Sequence, residues 1–378
     1  TASGGNTAYT IGYGRPRDLR QQPGTRRRCR TRCQHPVRGL IFINCAEANG
    51  TNAMTTMTDW HLVGDIGGTN ARFGIAARGD RAYRDIATYE VANFPEFGLV
   101  LDQLMRDIAA SGLAQGSPAA VCLAVAGPPH VETISFTNSS WRFSRDLLRE
   151  RTGALKIEII NDFSAVARAI PELTGADLEQ IGEGHIQADA LAIALGPGTG
   201  TGVAALAQGP RGESVVITGE GGHVDFAPVT DVEVEIHKRL RARFGRVSIE
   251  RLLCGVGIIN IYQALADYRR EPAPLMHPGD VGAAASSGDD PLAREAMAIF
   301  FAVLGASAGN FALTFGARGG VYIAGGIAPR YIELLRLSDF RARFLAKGRF
   351  ADYLSGIPTF VVTHPGIGLL GATIPLNE

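Results

Sequence analysis

Gly64-Asp65-Ile66-Gly67-Gly68-Thr69-Asn70-Ala71-Arg72 lies between an apolar run, Leu62 to Ile66, and a second one, Arg72-Phe73-Gly74-Ile75-Ala76. The pattern predicts strand, tight turn, strand. Phosphate suits such a turn. Gly67 and Gly68 have no β-carbon, so their N–H groups can approach phosphate oxygens, and Thr69 adds a hydroxyl donor. Asp65 can hold a hydrated Mg²⁺ beside them. No Gly-Lys-Ser/Thr follows and the next element is a strand, so this is not a P-loop. A lone Gly-Gly turn between apolar runs is more often a plain hairpin, so the reading needs support elsewhere in the chain.

The chain has 378 residues, 46% hydrophobic and 20% charged, which is enough for two domains with their own cores. Net charge is zero, so no overall field favours nucleic acid or an anionic membrane. Residues 1 to 58 hold nine Arg, no Lys and two acids, leaving 28 basic and 35 acidic residues for a mildly acidic body. That opening segment lacks hydrophobic periodicity and carries Cys29, Cys33 and Cys45. Arg26-Arg27-Arg28-Cys29-Arg30 could suggest a nucleic-acid arm or a transit peptide, but the segment is read as a disordered or non-native extension. The Cys-x₃-Cys pair has no second pair to complete a zinc site. Cys122 and Cys254 sit in apolar surroundings typical of buried thiols. With no signal-peptide pattern ahead of the body, the cytoplasm is the expected compartment.

From Trp60 onward, short β-rich runs alternate with helical stretches, an α/β pattern. Phe97, Val100, Leu101, Leu104 and Ile108 predict a helix over 95–111, and Ala119 to Ala126 a buried strand ending in Gly127-Pro128-Pro129. Lys156 to Ile160 predicts a strand, followed by Asn161-Asp162 and a helix from Phe163 to about Ile170. A second apolar strand, Ala190 to Leu195, then meets Gly196-Pro197-Gly198-Thr199-Gly200-Thr201-Gly202 and a further strand, Val203 to Leu206. The opening pattern thus recurs about 130 residues later. Gly320 to Ala324 ends in Gly325-Gly326 as the earlier strand ends in Gly127-Pro128. This predicts an internal duplication, with two phosphate hairpins facing one cleft. Ala296 to Phe315 runs twenty residues without a charge. Its Gly305, Ser307, Gly309 and Asn310, and the absence of a flanking basic cluster, favour a buried crossover helix over a membrane span.

Gly64 to Arg72, Glu158-Ile159-Ile160-Asn161-Asp162-Phe163-Ser164-Ala165-Val166, Gly196 to Gly202, Gly219-Glu220-Gly221-Gly222-His223-Val224-Asp225-Phe226-Ala227-Pro228 and Val321 to Arg330 together resemble the bacterial ATP-dependent glucokinases. These belong to the superfamily of sugar kinases, actin and heat-shock chaperones. The resemblance spans about residues 60 to 375. Sugar kinases of the repressor-related type share a Glu-x-Gly-His element but follow it with a cysteine-rich zinc motif; here Cys254 stands alone. The resemblance implies an α/β, two-domain, actin-like (ribonuclease H-like) fold. Its small domain is placed at 59–171 plus about 365–378, and its large domain at 172–364. It also implies a homodimer in the cytoplasm, without nucleic-acid or membrane partners.

The implied reaction is transfer of the γ-phosphoryl of ATP to the 6-hydroxyl of D-glucose. The alternatives are a kinase for fructose or mannose, and a sugar-sensing regulator on the same fold. Asp162 is the implied catalytic base, and general-base chemistry is worth about 10²–10⁴ in rate. Its plainer reading is an N-cap of the following helix. Asn161, Asp162, Glu220, His223 and Glu250 are the implied sugar ligands. Glu250 also suits the start of a helix expected over 249–254, and a His223–Asp225 metal pair has no third ligand. Nucleotide contacts are expected from Gly64, Asp65, Ile66, Gly67, Gly68, Thr69, Thr199, Gly200, Gly325 and Gly326, with Asp65 holding Mg²⁺ through water. The chain has only three lysines, Lys156, Lys238 and Lys347, none in these turns. Charge on the transferring phosphoryl must therefore meet Mg²⁺, backbone N–H groups and Arg72.

Overall fold

A computed structural model of the chain describes residues 56–136 and 140–377. The expectations for Cys29, Cys33, Cys45 and the arginine run lie outside these residues. The folded body begins slightly ahead of the expected start at 59. Thr56 Oγ1 donates to Gly112 O (2.9 Å) and Met57 N–H to Leu113 O (2.8 Å).

Two mixed sheets repeat one topology. In the first, β1 (Trp60–Ile66) pairs antiparallel with β2 (Asn70–Ala77), which pairs with β3 (Tyr83–Glu90). On its other side β1 runs parallel to β4 (Ala120–Val125), and β4 to β7 (Lys156–Asn161). Between β4 and β7 lie a small hairpin, β5 (Thr133–Ser135) with β6 (Arg142–Ser144), and helix α2 (Arg145–Thr152). The second sheet is built alike. Here β9 (Ala192–Pro197), β10 (Thr201–Gln208) and β11 (Ser214–Gly219) form the meander, and β12 (Gly320–Ile323) and β13 (Thr359–Val362) the parallel strands. Strand β8 (Leu178–Gln180) is added at its edge. The orders β3-β2-β1-β4-β7 and β11-β10-β9-β12-β13-β8 match over five positions. The expected duplication is therefore a duplication of sheets.

Each sheet has its own core. Helix α1 (Phe97–Ser111) covers the first, its Phe97, Leu101 and Leu104 packed with Trp60, Leu62 and Phe73. The second is covered by α4 (Asp231–Phe244), α5 (Gly255–Arg269), α6 (Pro278–Ser287) and α7 (Pro291–Phe315). Four short helices, α8 (Ile327–Arg330), α9 (Ile332–Arg336), α10 (Phe340–Leu345) and α11 (Ala351–Ser355), lead to β13.

Helix α7 is long and apolar enough to span a bilayer, but 72% of its most apolar window is buried in the protein. Its glycines explain the dilution seen in the sequence. A β-carbon at Gly305 would collide with Phe340 O and one at Gly309 with Phe344 O, so both positions let α10 cross the helix closely.

The two sheets meet through α3 (Asp162–Ala169) and α12 (Ile367–Thr373). Helix α3 touches β9, β10 and β11 on one side and β4 and β7 on the other, and α12 lies on α3, β1 and β4. No β-carbon fits at Gly371, because the Ala165 carbonyl occupies that space. The C-terminal helix thus returns to the first sheet. It is fastened there by Tyr83 Oη donating to Gly366 O (3.1 Å) and by Arg72 donating to Pro365 O (3.3 Å).

Candidate active site

Asn161 ends β7 and Asp162 opens α3, so both sit at the carboxyl edge of parallel strands, where open α/β sheets bind ligands. The structure corrects which of them caps the helix. Asn161 has extended backbone (φ −69°, ψ 147°), and its Oδ1 accepts the N–H of Ser164 at 3.1 Å. Asp162 is already helical, and its carboxylate accepts nearby backbone N–H groups, that of Phe163 at 2.9 Å and its own, rather than one a turn ahead. Capping therefore leaves the Asp162 carboxylate available and commits the amide oxygen of Asn161, whose Nδ2 remains as a donor.

Burial pushes the Asp162 carboxyl up to about 7, against the Phe163 N–H, which favours the charged form. Its charged neighbours, Asp65 and Glu220, are both acids and raise it further. The same interactions show that the first hairpin, the start of α3 and the glycine-rich loop converge on one place.

Within Gly64 to Thr69 the structure separates strand from turn. Gly64 lies under Leu123 and Phe73, with space for a β-carbon only 2.6 Å from Leu123 Cδ2, and the Ile66 side chain is fully buried. Both positions are packed into the sheet interior. Asp65, Gly67, Gly68 and Thr69 lie at the strand end and in the turn, closed by Gly67 N–H donating to Asn70 O (2.9 Å). Asp65 is partly buried against the backbone of Gly368, and burial raises its pKa, with Arg72 alone opposing. A desolvated carboxylate with so little compensation suits a hydrated cation. Among the described residues no cluster of three His, Cys, Asp or Glu could hold a metal by itself.

In the second hairpin Thr199 is exposed at the tip, and Gly198 N–H donates to Gly200 O at 2.7 Å. Gly325, with φ +87°, lies against it, where a β-carbon would be 2.6 Å from Pro197 O; Gly326 faces open space. The expected adenosine turn therefore adjoins the second phosphate hairpin.

Glu220 and His223 bracket a 3-10 turn at Gly221–His223, and both are exposed. Arg246 holds this loop by donating to His223 O (2.7 Å) and pairing with Asp225 (2.7 Å). Asp225 is thereby accounted for without a metal. Behind the loop lies a cavity of about 410 Å³ lined by Val203, Ile217, Gly221, Ile249 and Phe311. Glu220, Asp225, Asn310 and Thr314 also reach this mostly apolar lining, and Asp162 is not part of it.

The helix expected over 249–254 is instead a 3-10 turn, Ile249–Arg251. Helix α5 starts only at Gly255, with Cys254 Sγ accepting the Gly257 N–H. Glu250 is turned toward the second hairpin, its Oε2 accepting the N–H of Thr201 at 2.9 Å.

One residue escaped the sequence reading. The ring of Phe163 lies on the backbone of Gly196 and Gly202, which face each other across β9 and β10. The signal was present in the glycines set symmetrically about the Pro197–Thr201 turn, but nothing local says which aromatic fills the groove they leave.

A family model described as Glucokinase matches residues 62–378. The chain is 40% identical to a glucokinase of Chromohalobacter salexigens over 85% of its length and 99% of that protein's. To a glucokinase of Hahella chejuensis it is 41% identical, covering 84% and 97%. Among solved structures it resembles a glucokinase from an Antarctic psychrotroph, with 33% identity, TM-score 0.72 and coverage of 85% and 99%. A repressor-type glucokinase from Streptomyces griseus, solved with glucose and AMPPNP, shares the fold at TM-score 0.57 and 21% identity.

Proposed function

The chain belongs to the glucokinase family and phosphorylates glucose with ATP as donor, and we propose that Asp162 is the base that takes the proton from the attacking hydroxyl. The observation that carries this is the Asp162 carboxyl itself, raised to about 7 by burial beside two other acids. A base poised near the working pH combines the ionised form with real proton affinity.

The 6-hydroxyl of D-glucose gives its proton to Asp162 as its oxygen bonds to the γ-phosphorus, and the bond to the bridging oxygen breaks to release ADP. Asn161 Nδ2, Glu220 and His223 orient the sugar, and backbone N–H groups of the two hairpins receive the phosphates. Asp65 is the residue that would hold Mg²⁺, and the ion would there supply charge neutralisation for the nucleotide's phosphates. Adenosine rests on Gly325-Gly326. We place the division between a small domain (to about 171, plus 365 onward) and a large one where the two hydrophobic cores part. We read the protein as a cytoplasmic homodimer. Exposed Val215 and Ile217 on β11, an edge strand, offer a surface that a second copy could cover.

Coupled ADP release measured across hexoses tests this reading. D-glucose should exceed fructose and mannose in kcat/KM by at least about tenfold, the scale of one lost hydroxyl contact. Equal rates for all three, or faster turnover of fructose, would show a different substrate.

A further inference from the structure

Glu250 occupies a position that serves two ligands. Its backbone lies in the Ile249–Arg251 turn, among the residues assigned to the sugar, yet its carboxylate reaches into the second phosphate hairpin. There Oε2 accepts the N–H of Thr201 at 2.9 Å and takes the space a side chain at Gly200 would need, 2.6 Å from a β-carbon. The hairpin is otherwise pinned to the same segment. Thr201 Oγ1 donates to Leu253 O, and Gly255 N–H donates to Gly198 O at 2.9 Å. Among the described residues, the Glu250 contact is the one that places a negative charge on the turn.

A carboxylate and a phosphate oxygen compete for that N–H, and two anions a few ångströms apart repel. An ionised carboxylate is an acceptor only, and sugar hydroxyls are donors that can draw it away. We propose that Glu250 is a positioning residue coupling the two substrates: without sugar it blocks the Thr201 N–H, and on sugar binding it turns to the hydroxyls and frees that N–H for the nucleotide. This rests on the assignment of the chain as a glucokinase with Glu250 at the sugar. Glucose then tightens nucleotide binding, and by linkage nucleotide tightens glucose by the same factor.

Calorimetric titration with AMPPNP and Mg²⁺, with and without saturating glucose, reads this directly. In the wild-type protein glucose should lower the AMPPNP Kd by about 5–50-fold, a usual range for coupled sites. In Glu250→Gln, which keeps the side-chain shape and loses the charge, sugar-free AMPPNP should bind at least about threefold tighter than in wild type. In Glu250→Ala, glucose should change the nucleotide Kd by less than about twofold. Glu250→Gln guards against a variant that merely fails to fold. Undiminished coupling in Glu250→Ala, weaker sugar-free binding in Glu250→Gln, or no coupling in a wild-type protein that phosphorylates glucose would each overturn the proposal. A wild-type protein that binds no glucose would instead remove the assignment beneath it.

Discussion

Replacing Asp162 with asparagine is expected to lower kcat by about 10²–10⁴ while nucleotide binding persists. Asparagine has nearly the same shape and can still accept the Phe163 N–H, but it takes no proton. Because Asn161 performs the capping, the substitution leaves the helix start intact. The accompanying stability change has a defined sign. The Asp162 pKa rises from 3.8 to about 7 on folding, so between these values the folded state holds a proton that the unfolded chain has released. Stability therefore falls as pH rises from about 4 to about 7, and the full penalty of a buried charge applies above that. Asp162→Asn should melt higher than wild type at pH 8, by on the order of 2 kcal/mol in stability, and lose that advantage near pH 4. Wild-type turnover in the variant would mean that another group takes the proton. A lower melting temperature at pH 8 would mean that the carboxylate is stabilising rather than strained.

Gly202→Ala is expected to lower kcat by about 10²-fold without touching a ligand-binding group. A β-carbon there would fall inside the Phe163 ring, so the ring must lift off the second hairpin. Phe163 follows Asp162 directly, and moving the base by about an ångström is enough for a loss of that size. Phe163→Ala relieves the collision, so the double variant should be no slower than Phe163→Ala alone. Such non-additivity marks residues that act through one contact. Additive losses, or a Gly202→Ala enzyme as fast as wild type, would show that Phe163 does not carry the strain to Asp162.

The two hairpins were legible because a glycine-rich turn between apolar runs is a local signal. Their recurrence announced the duplicated sheets before any contact was known. Asp162 was legible as the candidate base, but not as a residue freed from capping. Asn161 and Asp162 are equally good caps, and only the backbone angles of Asn161 decide between them. Glu250 was placed on a helix because an acid after Ser248 resembles a first turn, whereas the chain forms a 3-10 turn there and α5 starts after Cys254. Its bond to Thr201, like the Phe163 ring on Gly196 and Gly202, joins segments far apart in the chain, and no local pattern encodes such a meeting. Gly64 and Ile66 share a motif with the candidate phosphate turn, while strand alternation and close packing put them in the sheet interior, which the motif alone does not tell.

The pH dependence of kcat/KM for glucose at saturating Mg²⁺ and ATP tests the role of Asp162 most directly, since it reports the ionisation of the essential base in the enzyme that meets the sugar. With the Asp162 carboxyl raised to about 7, the wild-type value should rise about tenfold per pH unit below pH 6 and level off above pH 8. The residual activity of Asp162→Asn should lack that limb. A wild-type profile flat from pH 5 to 8, or an acid limb that survives in Asp162→Asn, would contradict proton abstraction by Asp162.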